Sequence, residues 1–280
     1  MTIFSSFAVA ALLTAQASEP RFDADPPDIV VPRLETAFDA LEADGFSGFV
    51  AVTHNGEIVF ESGYGAANPE TGAAFTRDTR IDMGSVVKTH TGLMAAQLIE
   101  DGVLDPDMTL GQYFEDVPAD MADITLHQLL THSAGFPGGV ASDHEEIDRD
   151  ELLRRAFNTP LRYEPGTGYQ YSNTGFSLVA AIIETVTGRS YEEVLLDDFL
   201  LPAGITRTGY TRSYDMDNPP VDMAYTVDGQ SLHALAWGGH APGWALIGNG
   251  GMFTTVGEMI AWREAVNAGE VVSAAALGRT

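Results

Sequence analysis

The chain has 280 residues, of which 45% are hydrophobic and 19% charged, enough apolar material for one large domain or two smaller ones and too much for a disordered or fibrous class. Its 14 Lys and Arg face 40 Asp and Glu, and the resulting charge of -26 repels phosphate backbones and anionic lipid, which argues against nucleic acid as a partner. With no Cys there are no disulfides, thiolate metal sites or Cys nucleophiles to consider.

Residues 7–13 form a short apolar run followed by Ala15-Gln16-Ala17, the small-x-small pattern that precedes a signal-peptidase cut. Residues 1–17 are therefore expected to be a cleaved signal peptide and the mature protein, 18–280, to be periplasmic or secreted. The run is too short for a bilayer span, and no other stretch reads as one. Leu34, Phe38 and Leu41 recur at helical spacing in a segment closed by Gly45. Residues 49–53 and 58–60 are apolar and β-rich around His54-Asn55-Gly56-Glu57, and Asn-Gly between two such runs predicts a hairpin. A helix opens near Gly84 and passes through Leu93, Met94, Leu98 and Ile99 to a stop at Gly102.

From about residue 106 to 207 the apolar spacing is mostly helical, predicting an α-rich subdomain with Leu129, Leu130, Leu152, Phe157, Leu178, Ile182, Ile183 and Val186 in its core. The dense charge run at 143–151 is expected to be a solvated helix face or loop rather than a site. Residues 209–251 read as loops and short strands, and 259–266 as a helix.

One of the 14 basic residues is lysine, Lys88, and all the others are Arg. An Arg stays charged, whereas a Lys amine can be tuned into a base, so a chain that uses Arg everywhere else draws attention to this position. Ser85 precedes Lys88 by three residues at the start of the predicted helix, which puts both side chains on one face. A serine hydroxyl becomes a nucleophile when a neighbouring group takes its proton, and partial burial and the helix dipole both lower a lysine's affinity for its own. Tyr171-Ser172-Asn173 follows the loop-forming Pro165-Gly166-Thr167-Gly168 and precedes a helical run. A phenol beside a cationic lysine can relay a proton, and an Asn amide can donate to and accept from a substrate amide. The bland alternatives are an N-terminal serine with a surface lysine, a packed Tyr and a turn Asn.

Residues 82–88 (Asp-Met-Gly-Ser-Val-Val-Lys), 126–135 (Leu-His-Gln-Leu-Leu-Thr-His-Ser-Ala-Gly) and 165–175 (Pro-Gly-Thr-Gly-Tyr-Gln-Tyr-Ser-Asn-Thr-Gly) together resemble the serine β-lactamase and penicillin-binding-protein-like family, in its class C β-lactamase, D,D-peptidase and esterase branch. The resemblance covers about residues 48–261. It implies an α/β (α+β) fold, a mainly antiparallel sheet flanked by helices with an inserted α-rich subdomain. It also implies Ser85 as acylated nucleophile, Lys88 as base, Tyr171 as proton relay and Asn173 as substrate contact, with Lys88 and Tyr171 both open as the general base. No cofactor and no metal are implied.

The family's third motif, Lys-Thr-Gly or His-x-Gly, has no clear counterpart; His240-Ala241-Pro242-Gly243 comes nearest. The late strands that carry the motif are accordingly expected to be absent. His144-Glu145-Glu146-Ile147-Asp148 lacks the second His of a zinc-protease motif, and Ser47 and Ser133 lack the glycines of a nucleophile elbow. His132 and Ser133 read as packing residues, His54 as a turn residue, His90 as a helix-face residue and 248–251 as a tight turn. The expected function is an acyl-enzyme hydrolase for amides or esters such as a β-lactam, a D-Ala-D-Ala peptide or a short ester. The alternatives are a non-catalytic homologue binding peptidoglycan peptides or a partner protein, or an inactive fragment.

Overall fold

A computed structural model of the protein describes residues 26–210 and 242–277. The signal-peptide segment and His240 lie outside the described residues. The chain divides into two compact units, with described residues 26–79 in the first and 80–210 and 242–277 in the second.

In the first unit, helix α1 (Pro27–Ala43) precedes strands β1 (Gly48–His54) and β2 (Glu57–Tyr64), which pair antiparallel. The predicted hairpin forms because Asn55 (φ 52°) and Gly56 (φ 83°) both accept the left-handed conformation that a two-residue turn of matching twist demands. Phe38 of α1 lies 5.8 Å from Phe46, 6.3 Å from Phe60 and 5.4 Å from Tyr64, so the helix adheres to the hairpin through one aromatic cluster. Short strands β3 (Ala66–Asn68) and β4 (Ala73–Ala74) form a second pair.

The second unit begins with β5 (Ile81–Asp82), a 3-10 turn (Gly84–Val86) and helix α2 (Val87–Glu100). Helices α3 (Leu110–Tyr113), α4 (Leu126–Leu130), α5 (Arg149–Phe157), α6 (Asn173–Thr187) and α7 (Tyr191–Val194) follow, the last running into a π turn at Leu195–Leu200. After β6 (Gly209–Tyr210) come β7 (Met252–Thr254), α8 (Val256–Asn267) and α9 (Ala274–Leu277). Strands β5, β7 and β6 form an antiparallel sheet in that order, with Asp82 and Gly209 both opposite Phe253. The fold is thus mixed helix and antiparallel sheet, as expected.

Helix α6 is the centre of this unit, because every residue from Thr174 to Ile183 is buried. A helix apolar on all sides has no face for solvent and must sit inside a core. Leu178, Ile182 and Ile183 are fully buried, each burial contributing about 1.5–3 kcal/mol, while Leu130 and Val186 are partly covered. Ser172 caps the helix start by accepting the Gly175 N–H, and Gly188 at φ 67° ends it.

The charge run at 143–151 is mostly solvated. Asp148 caps α5 through the Glu151 N–H, and Glu145 and Glu151 both hold Arg155 at 2.6 Å. Helix α8 starts ahead of its apolar pattern because the Thr255 hydroxyl accepts the Glu258 N–H. Among the described residues no helix is long and apolar enough to cross a membrane.

Candidate active site

Strand β5 delivers the chain to Asp82, whose carboxylate accepts the Gly84 N–H at 2.8 Å, and Gly84 turns through φ 52°. That bend leaves Ser85 exposed and sends Lys88, one turn later, inward to 7% exposure. The Lys88 ammonium nitrogen, Nζ, lies 3.3 Å from Ser85 Oγ and donates to the Asn249 carbonyl at 2.8 Å. Burial pushes the Lys88 amine down to about 8, against the opposing pull of Asp143. A neutral amine so placed commits one N–H to the carbonyl and keeps its lone pair for the serine proton. Asp143, at the start of a run read as merely solvated, is thus part of this site's electrostatics; burial also raises Asp82.

The Asn249 carbonyl is held there by a buried polar network. Asn249 Nδ2 donates to Ser177 Oγ (2.8 Å) and to the Ala245 carbonyl (2.7 Å), and Ser177 donates to the Ile247 carbonyl (2.8 Å). The Thr91 hydroxyl donates to the Gly248 carbonyl (2.6 Å), and Tyr210 OH accepts the Gly248 N–H (2.8 Å). Gly248 itself has φ 80°, and a Cβ there would fall 2.7 Å from Ala180 Cβ and 2.8 Å from the Phe176 carbonyl oxygen. The stretch 248–251 is a tight turn, as its glycines imply, but its part in the site went unread. The group it offers to Lys88 is a backbone carbonyl, which every residue type possesses.

Tyr171 is 40% exposed, and its ring centroid lies 4.9 Å from Lys88 Nζ; the Phe176 ring lies 5.8 Å from the same nitrogen. The loop carrying Tyr171 is pinned by Ser172 Oγ donating to the Pro137 carbonyl (2.7 Å), the Asn173 N–H to the Gly138 carbonyl (2.7 Å) and the Gly166 N–H to the Ser133 carbonyl (2.8 Å). His132 packs as expected, with ring centroids 4.5 Å from Tyr171 and 5.1 Å from Phe176. It does so from φ 58°, a left-handed conformation costing a non-glycine residue roughly 1–2 kcal/mol. His132 is pushed below the ordinary imidazole range by burial and then by the charge of Lys88.

The structure therefore brings Ser85, Lys88 and Tyr171 together. Asn173 stands two residues beyond Tyr171 at the start of α6, lining a small cavity with Gly139, Asp143 and Thr174. Its Oδ1 is buried with no hydrogen-bond partner among the described residues. His90, one turn into α2, is fully inside, stacked on Trp262 at 4.5 Å, and burial pushes its imidazole down to about 4. Among the described residues no cluster of three or more His, Asp or Glu is arranged to hold a metal.

The Beta-lactamase family model matches residues 33–280. The chain belongs to the β-lactamase family. Over 200 residues this β-lactamase-family chain is 30% identical to esterase EstB of Burkholderia gladioli, covering 64% of the chain and 51% of the esterase. Over 199 residues it is 29% identical to PbpX of Bacillus subtilis (strain 168), provisionally named a penicillin-binding protein, covering 71% of the chain and 50% of that protein. The chain thus spans about half the length of the curated relatives it matches. The same fold is seen in the octameric penicillin-binding protein homologue from Pyrococcus abyssi, with a TM-score of 0.73 at 23% identity over 88% of this chain and 59% of that one.

Proposed function

We propose that this chain is a serine hydrolase that opens amide or ester carbonyls, of the β-lactam, D-Ala-D-Ala peptide or short-ester kind, through an acyl-enzyme on Ser85. The observation that carries the reading is the buried Lys88 amine, 3.3 Å from an exposed serine hydroxyl and anchored by a carbonyl on its far side. The esterase and penicillin-binding names among its relatives support it.

In this reading the Ser85 proton passes to neutral Lys88 as Oγ attacks the carbonyl carbon. The developing oxyanion is met at the positive end of the continuous turn and helix that run from Gly84 to Glu100. Collapse expels the leaving group, which takes a proton from Lys88 through the Tyr171 phenol, and water then hydrolyses the acyl-enzyme by the reverse relay. Asn173, two residues beyond Tyr171 at the start of α6, serves as the contact for a substrate amide. The N-terminal pattern supports a periplasmic or secreted setting.

Intact-mass spectrometry after brief exposure to an activated ester and, separately, to a β-lactam tests the reading. A covalent gain in the wild type and none in Ser85→Ala is expected. The acylation rate should rise about tenfold per pH unit up to pH 8 and then level, because the base works only when Lys88 is neutral. An equal gain in Ser85→Ala would refute the nucleophile, and no gain in either protein would favour a binding role for the cleft.

A further inference from the structure

We infer that His132 is the positioning residue for Tyr171: in its neutral form it grips the chain on both sides of that tyrosine and stacks on its ring, and protonation releases the side-chain half of the grip. This rests on the acyl-transfer role proposed for Ser85, Lys88 and Tyr171.

Three contacts carry the inference. The His132 carbonyl accepts the Gln170 N–H at 3.0 Å, and His132 Nδ1 accepts the Ser172 N–H at 3.1 Å, so the residues flanking Tyr171 hang from one residue. The imidazole lies 4.5 Å from the Tyr171 ring between them. Tyr163 OH donates to the same His132 carbonyl at 3.0 Å, fixing the gripping residue in turn. Nδ1 can accept only while unprotonated, which requires the neutral tautomer with its proton on Nε2.

The backbone points the same way. His132 follows the Thr131 C-cap of α4 at φ 58°, the place where glycine ends helices without strain. A residue with a Cβ persists in such a conformation when its surroundings determine it, and here the surroundings are the Tyr171 loop. The groups facing the ring are Lys88 from α2, Phe176 from α6, and Tyr169 and Tyr171 from the loop. Lys88 is the charged group among them; a second cation on His132 would meet Lys88 and the Ser172 N–H together, so the Nδ1 bond would break and the Tyr171 ring would lose its fixed place, while the backbone bonds of the loop remain.

The test compares the wild type with His132→Gly and His132→Asn in acylation by an activated ester from pH 5 to 9, followed by intact mass. Glycine suits the backbone but removes the side chain, and acylation is expected to fall about tenfold or more with no loss of thermal stability. Asparagine tolerates positive φ and places Oδ1 where Nδ1 stood, without titrating, and is expected to keep the rate at pH 8 within about threefold of the wild type. Below the imidazole pKa the wild-type rate should fall with a slope of two in log units, one proton each on Lys88 and His132, whereas His132→Asn keeps a slope of one. Wild-type rates in His132→Gly, or a second slope surviving in His132→Asn, would overturn the inference. If the wild type itself takes no acyl group, the Ser85 reading fails, and nitrogen NMR of the imidazole judges His132 separately. An Nε2–H tautomer that converts to the cation as the Ser172 amide loses its hydrogen bond upholds the grip, and an Nδ1–H tautomer refutes it.

Discussion

Lys88 sits where an ammonium group is poorly solvated, and its stability consequence has a definite direction. Burial lowers its pKa from 10.5 to about 8, so between these values the unfolded chain holds a proton that the folded chain has released. Stability contributed by this group therefore rises as pH climbs from 8 to 10.5, and below 8 the folded protein carries a penalty of up to about 3 kcal/mol. Lys88→Met is expected to abolish acylation yet stabilise the fold at pH 7 by about 1–2 kcal/mol, once the lost hydrogen bond to the Asn249 carbonyl is subtracted. Urea unfolding of both proteins from pH 6 to 10.5 checks this, and a difference that stays constant across that range would rule out burial as the cause. At this scale Ser85, Lys88 and Tyr171 were legible because their side-chain chemistry is distinctive and Lys88 is alone of its kind. Asn249 was not, since it acts through its carbonyl, and Asp143 was hidden in a run of charges that is otherwise solvent-facing.

Elements place these groups through close approaches that no local pattern encodes. The turn at 246–251 touches α6 through Gly248 and α2 through Thr91, and any Cβ at Gly248 would meet Ala180 and the Phe176 carbonyl below 3.0 Å. Gly248→Ala is expected to cost about 2–4 kcal/mol and to slow acylation, because the turn must withdraw the Asn249 carbonyl from Lys88. Gly102→Ala is the control: its φ of 71° is equally left-handed but its Cβ meets nothing within 4 Å. It should lose only the roughly 1 kcal/mol of backbone strain and acylate normally. Acylation slowed equally in both would show that general destabilisation, not the turn, governs the rate. The hairpin, α2 and α6 were predictable because turn chemistry and apolar periodicity are local. The start of α8 was not, because its first turn is set by the Thr255 cap ahead of the apolar repeat.

For the molecule as a whole, the charge of -26 acts on whatever approaches the site. Raising the salt from 10 to 150 mM shortens the screening length from about 30 to 8 Å, so kcat/KM for an anionic ester should rise roughly two- to fivefold while a neutral isostere changes little. Equal salt responses would show that the field does not reach the cleft. The site lies wholly within the second unit, and its decisive contacts join residues far apart in sequence: Lys88 to Asn249 across 161 positions and Asn249 to Ser177 across 72. The family blocks, the local elements, the acidic composition and the side chains able to attack and relay were readable from residue type and short spacing. Which carbonyl holds Lys88, how far burial lowers its pKa, and the grip of His132 on both sides of Tyr171 emerge only from the folded chain. Those depend on backbone groups and low-dielectric packing that come together only when distant segments meet.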